Sequence, residues 1–145
     1  MRGASFFLTI MLVSSLAAFA GGDETLEGLV KRADAASIGQ QPALYAEIAE
    51  RQLRAADQLY NDGHVDAARA AVNDVVTYSD RASNAASHAP SKIKNTEIAI
   101  RKMAAKLRDI KRGLALEDQP PVQAAADHLE GLRTGLLSRM FAKDH

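Results

Sequence analysis

The sequence predicts an all-α protein: an up-down antiparallel bundle of four long helices plus a short N-terminal helix, following a cleaved signal peptide. Three observations predict it. Alanine is abundant, and alanine has the highest helix propensity and lets helices approach closely. Aromatic residues make up only 5% of the chain and β-branched runs are few, which argues against a sheet. Apolar residues recur at helical spacing in successive segments, with glycine or proline between them.

Residues 1–20 come first and stand apart. Arg2 supplies a positive start, Phe6 to Leu16 is almost wholly apolar, and Ala18-Phe19-Ala20 ends the run with small residues. A charged n-region, an apolar h-region and an A-x-A exit are the pattern of a secretory signal peptide. Spanning a bilayer takes about 20 apolar residues, whereas this run is broken by Ser14 and Ser15 and stops at Gly21-Gly22. The expectation is cleavage after Ala20, leaving residues 21–145 as one domain, exported to a periplasm or secreted, with no integral membrane span.

The first helix is expected from Asp23 to about Ser37, with Leu26, Leu29, Val30 and Ala33 on one face. Gly39 breaks it. Pro42 then sits where proline is tolerated, at the first helical position. The second helix runs to about Tyr60, with Leu44, Ile48, Ala55 and Leu59 in a stripe and Tyr45, Ala49, Ala56 and Tyr60 beside it. Asn61-Asp62-Gly63 is a stop signal, since glycine past a helix end takes the left-handed conformation cheaply.

The third helix begins near His64. Val65, Ala68, Val72, Val75, Ser79 and Ala82 follow one another at three- and four-residue spacing, a helix face and not a strand. The pattern fades after Ser83, and Pro90 pushes the residue before it out of the α region. Ser91 is a candidate N-cap for the fourth helix, whose seam is Ile93, Ile100, Met103, Leu107, Ile110 and Leu114. Pro120-Pro121 opens the fifth, with Val122, Ala125, Leu129, Leu132, Leu136 and Met140 on its face and Phe141 as a terminal anchor.

Short links make consecutive helices antiparallel, and one apolar stripe per helix implies a shared core. Ala55-Ala56, Leu59, Gly63, Val65, Ala68 and Val72 fall near positions that a tetratricopeptide repeat fills with small residues and a turn glycine. The match covers a single hairpin, the helices are too long for a 34-residue repeat and no second copy follows at that period. A tight helical hairpin needs small residues beside its turn in any case, so no family is assigned.

Composition narrows function. The chain has 18 basic and 18 acidic side chains and no cysteine. Losing Arg2 with the leader leaves 17 against 18, a net charge of −1, so attraction to a polyanion must come from a local patch. The missing cysteine removes disulfides, an N-terminal lipoprotein anchor, covalent c-type haem and thiol chemistry.

Candidate chemistry is sparse. His64 between Asp62 and Asp66 offers oxygen and nitrogen donors at a helix start, but acids there are also what the helix dipole favours. His128 with Glu130 has the wrong order for a di-iron Glu-x-x-His motif and no second copy. Met103 and Met140 lie on apolar seams, where methionine fills space. Ser79, Ser83, Ser87 and Ser91 cluster around the end of the third helix and its turn with no glycine elbow, and the acids lie on polar faces. The expectation is a protein with no catalytic residues, no metal and no cofactor, hence not an enzyme.

Charge distribution departs from a bland bundle. Residues 23–63 hold eight acids and four bases, whereas residues 92–112 hold eight bases against Glu97 and Asp109. Lys94, Arg101 and Arg108 repeat every seven residues and share a face; with Arg112 they are the candidate contact for an anionic partner. Nucleic acid fits poorly, because no aromatic residues interleave for stacking. The strip could instead complement the acidic first and second helices. The expected function is therefore a non-catalytic, exported bundle protein that binds or scaffolds an envelope protein or anionic surface component. The alternatives are a ligand or metal carrier using the bundle interior, and an enzyme with an unrecognised site.

Overall fold

In the computed structural model, which describes residues 24–142, the first helix is set by its cap. Thr25 has extended backbone, and its hydroxyl accepts a hydrogen bond from the Gly28 amide at 3.0 Å, satisfying one of the otherwise orphaned donors at the start of α1 (Leu26–Ala35). The expected cleavage site and signal peptide lie outside the described residues.

α2 (Gln41–Asn61) carries Pro42 in its first turn, as the sequence predicts. It closes on Gly63, whose φ of 79° is the left-handed conformation glycine adopts at little cost. The Gly63 amide donates to the Tyr60 carbonyl at 3.1 Å and the His64 amide to Leu59 at 2.8 Å, the paired bonds of a Schellman stop.

α3 (Val65–Ser87) continues one turn past the point where its apolar pattern fades, because Ala85 and Ala86 are also buried. A short 3₁₀ turn, Pro90–Lys92, leads into α4 (Ile93–Arg112). Ser91 lies inside that turn and does not cap α4; Lys92 occupies the cap position without a side-chain bond. Another 3₁₀ turn, Leu116–Asp118, precedes α5 (Gln119–Ala142).

Consecutive helices run antiparallel. The most extensive packing is α2 on α3 and α4 on α5, so the bundle is two helical hairpins laid face to face. Across that interface the neighbours are parallel. Asp57 meets Lys106 at 2.9 Å while Pro42 and Ala46 lie across a cleft from Lys92 and Thr96, so α2 and α4 ascend together. Asp80 meets His128 at 2.6 Å while Asn73 faces Pro121, so α3 and α5 do the same. α1 runs antiparallel along the first half of α2, with Asp34 joined to Tyr45 and Arg51 donating to the Glu24 carbonyl.

The larger core fills the space between the hairpins with Leu53, Val72, Val75, Ile100, Met103, Leu107, Leu129 and Leu136. Buried alanines 49, 56, 68 and 71 line the α2–α3 contact, where small side chains permit close helix approach. A second cluster joins Leu29 and Ala33 of α1 to Tyr45, Ile48, Ala82 and Ala85. Each fully buried leucine or isoleucine contributes about 1.5–3 kcal/mol.

Two faces differ from expectation. On α2 the buried row runs Tyr45, Ala49, Leu53, Ala56 and Tyr60, while Leu44 and Leu59 are half-buried. On α5, Phe141 is 65% exposed and anchors nothing. Because Asp80 sits opposite His128, the last residue of α3 registers with Gly135, and the final turns of α5 project past it. Leu132 is half-buried for a related reason: it stands beside, not on, the Leu129–Leu136 row.

Candidate functional site

α4 turns Ile93, Thr96, Glu97, Ile100, Met103, Ala104, Leu107 and Ile110 inward. Everything charged except Glu97 is thereby left on its outer side. Lys94, Arg101 and Arg108 occupy that side at two-turn intervals, about 10.5 Å apart.

The strip is divided by what flanks it. Lys94 and Lys102 are exposed and have no ion-pair partner among the described residues. Arg101 Nε lies 4.0 Å from Glu97 of its own helix. Arg108 forks onto one oxygen of Glu130 from α5, with Nη1 at 3.2 Å and Nη2 at 3.1 Å. Arg112 pairs with Asp109, three residues back. On the other flank, Lys106 holds Asp57 of α2, and this hydrogen bond raises the Lys106 ammonium above its ordinary pKa.

Complementation by the acidic N-terminal helices takes a different form from the one expected. Glu24 is held by Arg32, Glu27 by Lys31 and Glu47 by Arg51, and none of them forms an ion pair with α4. The acids that do are Asp57 and Glu130.

Sequence reasoning missed the centre of this network. The Glu97 side chain is 6% exposed, and Arg133 of α5 donates Nε to it at 2.9 Å while its Nη1 reaches Glu130 at 3.3 Å. Charges therefore alternate Arg101, Glu97, Arg133, Glu130, Arg108 across the α4–α5 seam. Burial pushes the Glu130 carboxyl upward, but the hydrogen bonds from Arg108 and Arg133 outweigh it and hold the group below the usual carboxylate range. The bond to Glu97 raises the Arg133 guanidinium. The available signal was positional: Glu97 lies four residues after Ile93 and three before Ile100, on the edge of the seam.

The remaining candidates are scattered. His64 is exposed at the α2–α3 turn and makes no side-chain cap bond. His128 spans from α5 to Asp80 on α3. Met103 is buried and Met140 half-buried, while Ser79 is fully buried in the α3 row. Among the described residues, no three histidine, aspartate or glutamate side chains gather as a metal-holding group, and no helix is long and apolar enough to cross a membrane.

The outer side of α4 can attract and hold oxyanions, lysine as a point charge and arginine through a planar fork. The fold and this face define a five-helix bundle with a basic outer helix. Compared with known proteins, the chain matches no protein family, no curated relative and no solved structure.

Proposed function

We propose that the protein is a non-catalytic, exported helical-bundle protein that binds an anionic envelope component, protein or surface, through the outer side of α4. One observation carries the reading. Among the exposed residues of α4 are six cations, Lys94, Arg101, Lys102, Lys106, Arg108 and Arg112, against the single carboxylate Asp109. Such a field raises the local concentration of an anionic partner and steers its approach. The core supports a surface function over an interior carrier, because large side chains fill the space between the hairpins.

The pairings choose the variants. Replacing Arg108 breaks its bonds to Glu130 of α5, and replacing Arg101 removes the neighbour of Glu97 in the same network, so either change disturbs the fold as well as any partner. Lys94→Glu with Lys102→Glu reverses two cations that pair with no acid among the described residues. Binding of the double variant to anionic phospholipid vesicles and to an envelope extract should fall, and its salt dependence should flatten, with the melt unchanged. Undiminished binding of that variant to both would refute the reading.

A further inference from the structure

We infer that the notch between the α1–α2 turn and the last two turns of α3 binds a carboxylate-bearing ligand with a short apolar arm. The site is independent of α4 and stands or falls without it.

Its cation is oriented before any ligand arrives. The Arg81 guanidinium carbon lies 5.0 Å from the Tyr78 ring centre and 5.9 Å from that of Tyr45, two rings stacked 6.3 Å apart at 29°. Its one ion-pair partner among the described residues, Asp34, is hydrogen-bonded by the Tyr45 hydroxyl at 2.8 Å, whereas Arg81 Nη1 stands 3.8 Å away, beyond hydrogen-bond reach. Arg81 therefore makes no hydrogen bond among the described residues, and its donors are available to fork a carboxylate. Arg81 attracts an anion and the nearby Asp34 opposes it, each in proportion to the anion's charge, and the planar guanidinium fork matches the two oxygens of a carboxylate.

Beside Arg81 opens a cavity of about 410 Å³, within the size range of small-ligand sites. Arg81 and Asn84 of α3 and His88, the residue that caps its end, follow at three- and four-residue spacing on one side. His88 Nδ1 lies 3.0 Å from the Asn84 carbonyl oxygen; in the tautomer that donates there, Nε2 is left as an acceptor. Ile38, which also lines the cavity, is 56% exposed, so the fold leaves much of an apolar side chain open to a ligand. The Gln41 amide nitrogen is committed to the Ala33 carbonyl at 3.2 Å, which keeps its oxygen as an acceptor. The lining thus offers a cation for a carboxylate, polar atoms for hydrogen-bonding groups and an exposed aliphatic side chain for an apolar arm. A peptide C-terminus ending in an aliphatic residue and a free branched short-chain acid share this chemistry.

The full chain, titrated with N-acetyl-leucine, N-acetyl-leucinamide and 4-methylpentanoate under ¹H–¹⁵N NMR, tests the assignment. Having no tryptophan, it also reports through tyrosine emission from Tyr45 and Tyr78. N-acetyl-leucine should shift the Ile38, Asn84 and His88 amides saturably, and the uncharged leucinamide should not. Arg81→Gln should weaken binding about tenfold or more, the loss of one charge-assisted donor. Ile38→Ala, in an exposed turn that the fold does not depend on, should weaken it severalfold. Equal binding of 4-methylpentanoate identifies a free acid, and weaker binding identifies a chain terminus. No saturable shift with either acid, equal binding of acid and amide, or full affinity in the Ile38→Ala protein each overturns the proposal.

Discussion

Ser79 shows what one atom contributes. Its side chain is fully buried in the α3 row, and its hydroxyl has no hydrogen-bond partner among the described residues. A buried polar group left unpaired costs about 1–3 kcal/mol. Ser79→Ala removes that group and leaves little space, so we expect a gain of about 1 kcal/mol, read as a higher urea midpoint. A lower midpoint would mean the hydroxyl is satisfied. Glu130 makes the opposite case. Its carboxyl is held low by Arg108 and Arg133, so the unfolded chain takes up a proton at this site before the folded one does. Its contribution is full above the unfolded carboxylate value of about 4.3 and is lost as pH falls through the lower folded value. Acid melts of the Glu130→Gln variant should therefore decline less steeply with falling pH than those of the unmodified protein.

Single positions also control whole elements. Gly63 ends α2 with a φ of 79°, and a side chain there costs about 1–2 kcal/mol in backbone strain. No neighbouring atom crowds the position, so the cost is conformational and not steric. Gly63→Ala should lower stability by about 1 kcal/mol, and Gly63→Asn by less, since asparagine tolerates this region better. Thermal melts of the two variants separate strain from crowding; equal losses would point to crowding. The helices themselves were legible to different degrees. α3 could be read residue by residue because valines mark its row. α2 could not, because alanines at positions 43, 46, 49, 55 and 56 suit any face of a helix, and the wheel gave no reason to prefer Leu53 over Leu59. The first helix, expected from Asp23, starts instead at Leu26, the first residue of its apolar face, because Thr25 caps it there.

At the scale of the molecule, the hairpin–hairpin interface decides which leucines matter. Leu107 and Leu129 are fully buried there, while Leu132 is half-buried. Leu107→Ala and Leu129→Ala should each cost about 2–5 kcal/mol, and Leu132→Ala clearly less, in urea melts of the full chain. Equal losses at all three positions would show that α5 is rotated from the arrangement described. The charged groups follow the same geometry. Arg101 and Arg108 serve the α4–α5 seam as well as the outer face, while Lys94 and Lys102 serve the outer face alone, a division visible only once α5 is set beside α4.

The sequence by itself determined the all-α class, the five helices, the four prolines and two glycines that punctuate them, and the basic composition of α4. These are local properties, fixed by propensity, turn chemistry and the 3.6-residue period, and they are written within a few residues of where they act. Tertiary structure alone decided that the two hairpins meet with α2 beside α4 and α3 beside α5, that Glu97 is buried against Arg133, and that Arg81 lies over Tyr45 and Tyr78. Glu97 and Arg133 are 36 positions apart, as are Arg81 and Tyr45, and no short turn links α2 to α4 or α3 to α5. Several pairings of alanine-rich faces satisfy the same local pattern. The choice among them is made by how leucines, isoleucines and opposite charges fit when all five helices pack at once.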